Sequence, residues 1–159
     1  MAPFDAERDI EPAAPGMLRE FERSLPMQLL KAREAAMVRF RPMLRAHGLT
    51  EQQWRVLRVL AAWPDIDASA IARRSLLLAP SLSRILQHLE STGLIARRTP
   101  AGDQRRAVFA LTARGRARFE AVAPDSERLY RDIASTFGSE RLAMLYELLS
   151  EFAAALDER

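Results

Sequence analysis

Ser81, Ser83, Arg84, Gln87 and His88 fall within one short stretch, PSLSRILQHLESTG from Pro80 to Gly93, with Glu90 only at the margin of the set. Hydroxyls, an amide, an imidazole and a guanidinium are the groups that hydrogen-bond to base edges and phosphate oxygens. At about 100° per residue, Leu82, Ile85, Leu86 and Leu89 share the opposite side of a helix, so the predicted element buries one face and offers the other. On an isolated helix such a polar face is more often merely solvated. The charge around it argues for more: residues 73–118 carry ten arginines against two acids, Glu90 and Asp103, while residues 119–159 carry four basic groups against nine acidic ones. In a chain of 159 residues with a net charge of only +3, an arginine cluster centred on this helix is the footprint of a phosphate-binding surface.

Other chemistries lack their residues. There is no cysteine, which removes disulfides and thiolate catalysis. The two histidines, His47 and His88, are far apart and neither has a companion at metal-ligand spacing, so no metal and no cofactor are expected. No nucleophile, paired-carboxylate site or phosphate loop is evident. Asp65 and Asp67 share a connection, and Asp67 reads as a helix cap. The protein is therefore expected not to be an enzyme. No apolar run approaches the length of a membrane span, and Met1 to Phe21 is acidic rather than basic-then-apolar, which predicts a soluble, cytoplasmic protein with no membrane partner.

The elements that position the polar face follow from local signals. Residues 1–23, with Pro3, Pro12, Pro15 and Gly16, read as a tail and lead-in. Residues 24–48 form a helix capped by Ser24 and closed by Gly48, with Leu30, Met37, Phe40 and Leu44 along one side and a kink expected from Pro42. Residues 49–111 form the central lobe. Thr50 to Gln53 has capping-box spacing and starts a helix burying Trp54, Leu57 and Leu60 or Ala61; Trp63-Pro64 ends it. Asp67 caps a brief helix carrying Ile71, and Ser75 to Ala79 leads into the polar-faced helix with Pro80 in its first turn, a helix-turn-helix arrangement. After Gly93 the period changes: Leu94 to Thr99 and Arg106 to Leu111 read as strands around a Pro100-Ala101-Gly102-Asp103 turn. This basic hairpin is a wing, with Arg98 on its first strand and Arg105 and Arg106 beside its tip, where arginines suit a narrow minor groove.

Residues 112–159 are helical again. Thr112 caps a helix in which Pro124 predicts a bend near Phe119 to Ala123, and Gly138 separates it from a last helix where Leu142, Leu145, Leu149, Phe152 and Leu156 alternate spacings of three and four. Such a seam packs either within one subunit or against a twin; a terminal helix this apolar, remote from the polar-faced helix, favours the twin. The expected fold class is mainly α with a small β-hairpin wing, a winged helix-turn-helix domain flanked by dimerisation helices.

Three blocks, GLTEQQWRVLRVL, L-S-R-I-L-x-x-L-E-x-x-G-L-I-x-R from Leu82 to Arg97 and D-Q-R-R-A-V-F-A-L-T-A-R-G from Asp103, closely resemble the MarR family of bacterial winged-helix regulators from about Leu25 to Leu156. The segments SLPMQLLKAREAAMVRFRP and HGLTEQQWR resemble the branch that regulates homoprotocatechuate (3,4-dihydroxyphenylacetate) degradation operons. The resemblance implies a symmetric dimer on a pseudopalindromic operator in double-stranded DNA, with Ser81, Ser83, Arg84, Gln87 and His88 on the reading helix and Asp103 orienting Arg105 in the wing. It also implies a dimeric repressor released by a small aromatic acid such as homoprotocatechuate or 4-hydroxyphenylacetate. For that ligand Met37, Phe40, Arg41, His47, Trp54 and Arg55 are the candidates, as ring contacts and carboxylate donors, though Met37, Phe40 and Trp54 at helical spacing also read as plain core. Pro124 departs from the family's uninterrupted long helix. The alternative function is a winged-helix module that binds an acidic protein and has no operator.

Overall fold

Caps and glycines set most element boundaries in the computed structural model, which describes residues 21, 24–99 and 107–157. Helix α1 (Leu25–Ala46) ends where Gly48 takes φ +67. The Leu49 N–H donates to the Leu44 carbonyl and the Gly48 N–H to that of Arg45, the bond pair of a Schellman cap, with Leu44 and Leu49 both buried. Pro42 lies inside α1, where it removes the donor for the Val38 carbonyl, yet the helix is continuous across it.

Helix α2 (Glu51–Ala62) starts on the predicted box: the Gln53 N–H donates to Thr50 Oγ1 at 3.2 Å and the Thr50 N–H to Gln53 Oε1 at 2.9 Å. Strand β1 (Ile66–Asp67) runs into α3 (Ala68–Ser75), whose Ala70 N–H donates to Asp67 Oδ1 at 2.8 Å. Helix α4 (Ala79–Ser91) has Pro80 in its first turn and closes on a second Schellman cap at Gly93, φ +69, in which the Leu94 N–H bonds the Leu89 carbonyl. Then come β2 (Ile95–Arg98), β3 (Val108–Leu111), α5 (Ala113–Phe137) and α6 (Ser139–Asp157), with Gly138 between the last two at φ +98.

The mainly α fold with its wing is as expected, but the sheet has three strands rather than two. They are antiparallel in the order β1-β3-β2, with Ile66 opposite Phe109, Arg97 opposite Phe109 on the other side, and Ile95 opposite Leu111. A two-residue strand has no period to read in sequence; its partner β3 defines it. Helix α5 likewise stays α-helical through Pro124.

The chain divides into two compact units, Met1–Arg39 and Phe40–Arg159. In the first, the described part of α1 exposes Leu25, Leu29, Leu30 and Val38. In the second, Leu44, Val56, Leu57, Leu60, Ile71, Leu89, Ile95 and Val122 are fully buried and draw α1, α2, α3, α4, β2 and α5 around one core. Burying each such side chain is worth about 1.5–3 kcal/mol.

One junction aims α4. Thr112 caps α5 through the Gly115 N–H at 3.0 Å, while its hydroxyl donates to the Gly93 carbonyl at 2.7 Å and its N–H to the Leu94 carbonyl at 3.1 Å. A Cβ on Gly115 would stand 1.8 Å from Leu94 O. Only glycine lets the first turn of α5 lie on the α4–β2 corner. Helix α6, in contrast, buries none of its residues: Leu142 is partly covered, and Leu145, Leu149, Phe152 and Leu156 are exposed.

Candidate functional site

The leucine stripe decides what α4 shows. Leu82, Leu86 and Leu89 are buried and Ile85 is partly covered, which turns Ser81, Ser83, Arg84, Gln87 and His88 to solvent on one exposed surface. Ser83 Oγ donates to the Ala79 carbonyl at 3.0 Å, so in this conformation the hydroxyl keeps an acceptor pair free. At the other end, Ser91 Oγ and Thr92 Oγ1 each donate to the His88 carbonyl at 2.9 Å, which also accepts the Thr92 N–H at 3.0 Å.

The approach to α4 is braced from behind. Arg55 Nη1 donates to the Ser75 carbonyl at 2.9 Å, and the buried Ser75 hydroxyl donates to the Ile71 carbonyl at 2.6 Å. Leu76 then takes φ +52, the left-handed region, at a strain of about 1–2 kcal/mol for a residue with a side chain. Leu78 is the N-cap of α4 and makes no side-chain cap bond.

In the wing, Arg98 is exposed on β2 with Nη1 3.8 Å from Asp65 Oδ1, itself exposed. A pair of this kind is worth at most about 1 kcal/mol and leaves the guanidinium available to a phosphate. Asp103, Arg105 and Arg106 lie outside the described residues. Between α4 and the sheet runs a groove of about 550 Å³ lined by Asp67, Ser69, Ser83, Gln87, Glu90 and Arg97 among others. Its carboxylates make it a poor seat for an acid ligand.

The candidate ligand residues separate. Met37 lies in the N-terminal unit, partly buried. Trp54 is 7% exposed and stacks on Phe119 with ring centroids 5.2 Å apart, and Phe40 meets Tyr130 at 5.0 Å, tilted. Arg41 Nε donates to Glu51 Oε2 at 3.3 Å, and His47 Nε2 lies 2.9 Å from Asp125 Oδ2. Arg55 points away from Trp54, toward the end of α3, because consecutive helical residues diverge by about 100°. Arg58, four residues after Trp54 and hence on its face, instead reaches Tyr130, donating to its hydroxyl at 3.4 Å. The signal for Arg58 was present in the i, i+4 spacing; the partner Tyr130, 72 residues away, was not. Together Phe40, Tyr130 and Arg58 offer two rings and a cation at one place.

Among the described residues no group of three or more side chains suits a metal ion, and no helix is long and apolar enough to cross a membrane.

Residues 47–106 match a model of the MarR family. The chain is 43% identical over 136 residues to the homoprotocatechuate degradative operon repressor of Escherichia coli, covering 86% of this chain and 92% of that one. Its structure is similar to that of NadR in complex with 4-hydroxyphenylacetate, with 36% identity, a TM-score of 0.78 and coverage of 84% and 98%. It is also similar to the repressor CouR bound to a 23-mer DNA duplex, with 26% identity, a TM-score of 0.77 and coverage of 87% and 99%.

Proposed function

Since this chain belongs to the MarR family, we propose that it is a dimeric, cytoplasmic DNA-binding repressor of an aromatic-acid catabolic operon, without catalysis of its own, released from DNA by a small phenolic acid. The observation that carries the DNA reading is the exposed face of Ser81, Ser83, Arg84, Gln87 and His88 above a buried leucine stripe, within the arginine-rich part of the chain. In this reading that face enters the major groove, Arg98 meets the backbone, and Arg105 and Arg106, with Asp103 orienting Arg105, reach the flanking minor groove. Residues 24–48 and 112–159 join two copies, and the exposed leucines of α6 are covered by the twin. Two reading helices related by a two-fold axis require half-sites about one DNA turn apart, ~34–36 Å, hence a pseudopalindromic operator.

The ligand reading is supported by the relatives, one a repressor of a homoprotocatechuate operon and one solved with 4-hydroxyphenylacetate. Phe40, Trp54 and Tyr130 supply ring contacts and Arg58 the cation for a carboxylate, with Arg41 and His47 as further polar groups. Arg55 Nη1 is engaged with the Ser75 carbonyl, so this reading favours Arg58 over Arg55 as the cation. To weaken operator binding a hundredfold, the ligand must prefer the released conformation by about 2.7 kcal/mol.

The test titrates 4-hydroxyphenylacetate, 3,4-dihydroxyphenylacetate and uncharged phenol against the protein on its operator, with wild type and Arg58→Ala. The acids are expected to release DNA from wild type but not from the variant, and phenol from neither. If neither acid binds at millimolar concentration, the effector class is wrong while DNA binding stands. A chain that prefers no DNA sequence at any salt concentration would instead be the protein-binding module.

A further inference from the structure

The connection from α3 to α4 holds two residues where local physics favours others. Leu77 packs on the core, but Leu76 and Leu78 on either side are 84% and 79% exposed, more than any other large hydrophobic among the described residues. Leu76 occupies a left-handed position that glycine or asparagine would fill with less strain. Leu78 sits at the N-cap of α4 without a cap bond, where serine, threonine, aspartate or asparagine would satisfy an orphaned N–H. Strain and missing caps that concentrate in one exposed turn point to a contact made outside the chain.

The turn borders the end of α4 from which Ser81, Ser83 and Arg84 project, and Arg73 and Arg74 stand exposed on the turn before it. We infer that Leu76 and Leu78 pack against thymine C5-methyl groups in the major groove, extending the α4 face into an apolar reader of T-containing steps; this rests on the DNA-binding reading above. The thymine methyl is the apolar group on the major-groove edge, whereas cytosine and adenine present an amino donor that a leucine would leave unpaired. Two side chains are too small an area for a stable protein interface, and the arginines around them would have to be desolvated against a neutral partner. Against DNA the same arginines meet phosphates.

The experiment uses the full chain and the duplex that wild type enriches from a random pool. Affinities are measured for wild type, Leu76→Gly and Leu78→Ser on that duplex and on the same duplex with deoxyuridine replacing every half-site thymine. Each variant is expected to melt no lower than wild type, because each relieves a local defect. On the thymine duplex each should bind about fourfold more weakly per half-site methyl lost from contact, about fifteenfold for a symmetric site, while on the uracil duplex variants and wild type should agree within about twofold. Equal losses on both duplexes would overturn the inference, since the leucines would then act by positioning α4. Unchanged affinity on the thymine duplex would overturn it as well. A pool from which no sequence is enriched would remove the DNA-binding reading and this inference with it.

Discussion

His47 Nε2 lies 2.9 Å from Asp125 Oδ2, joining the residue that ends α1 to the turn of α5 just after Pro124. Arg118 Nη1 donates to the His47 carbonyl at 2.9 Å, and Arg128 pairs with the second oxygen of Asp125. The hydrogen bond from His47 is the main reason that the Asp125 carboxyl is held below its ordinary value of 3.8; partial burial opposes it, and the charges of Arg128 and His47 add to it. In the unfolded chain Asp125 takes up its proton first as the pH falls, so its stabilising effect is complete above the ordinary value and is lost as the pH drops through the lowered one. Urea unfolding of wild type and Asp125→Asn should therefore differ above the ordinary carboxylate range and converge in strong acid. A difference that persists undiminished in strong acid would mean that the carboxylate charge is not what this contact uses.

Gly115→Ala should destabilise the fold although alanine is the better helix former. Intrinsic propensity favours the change by about 1 kcal/mol. The new Cβ, however, would stand 1.8 Å from Leu94 O, and backbone at an α5–β2 corner has little room to yield. A net loss of about 1–3 kcal/mol is expected from overpacking of this kind, read as a lower denaturant midpoint with an unchanged slope. Because the same corner aims α4, operator affinity should fall with it.

Arg84→Ala should remove one major-groove contact, about 1–3 kcal/mol of discrimination between operator and scrambled duplex. Its exposed place opposite Leu82, Leu86 and Leu89 is the basis. Equal weakening on both duplexes would make Arg84 a phosphate contact, and no weakening would remove it from the interface.

Leu149→Arg should convert the proposed dimer to monomer or aggregate in sedimentation and abolish operator binding. An unpaired guanidinium in an apolar interface is heavily penalised. In the single chain Leu149 is exposed on a helix with no buried residue, so the substitution should hardly change the protomer's own core. A soluble dimer with full operator affinity would show that the two copies join elsewhere.

The helical frame was legible because its determinants are local. The Thr50–Gln53 box, the caps Asp67 and Thr112, and the stops at Gly48, Gly93 and Gly138 each act within a few residues. The division of α4 into a buried and an open face was legible for the same reason: one period of 3.6 residues sorts Leu82, Leu86 and Leu89 from Ser81, Arg84 and His88.

The sequence by itself thus determined where the helices begin and end, which face of α4 is offered, and where arginine accumulates, all of it encoded in spacing and composition along the chain. Only the tertiary structure decided that β1 is a strand, since two residues become one through their bonds to β3; that Gly115 must be glycine, since the clash is with Leu94; and that Arg58 rather than Arg55 reaches the aromatic pair, since Tyr130 comes from another helix. Each of these depends on an atom brought close from a distant part of the chain. Packing, which no local period carries, supplies that neighbour.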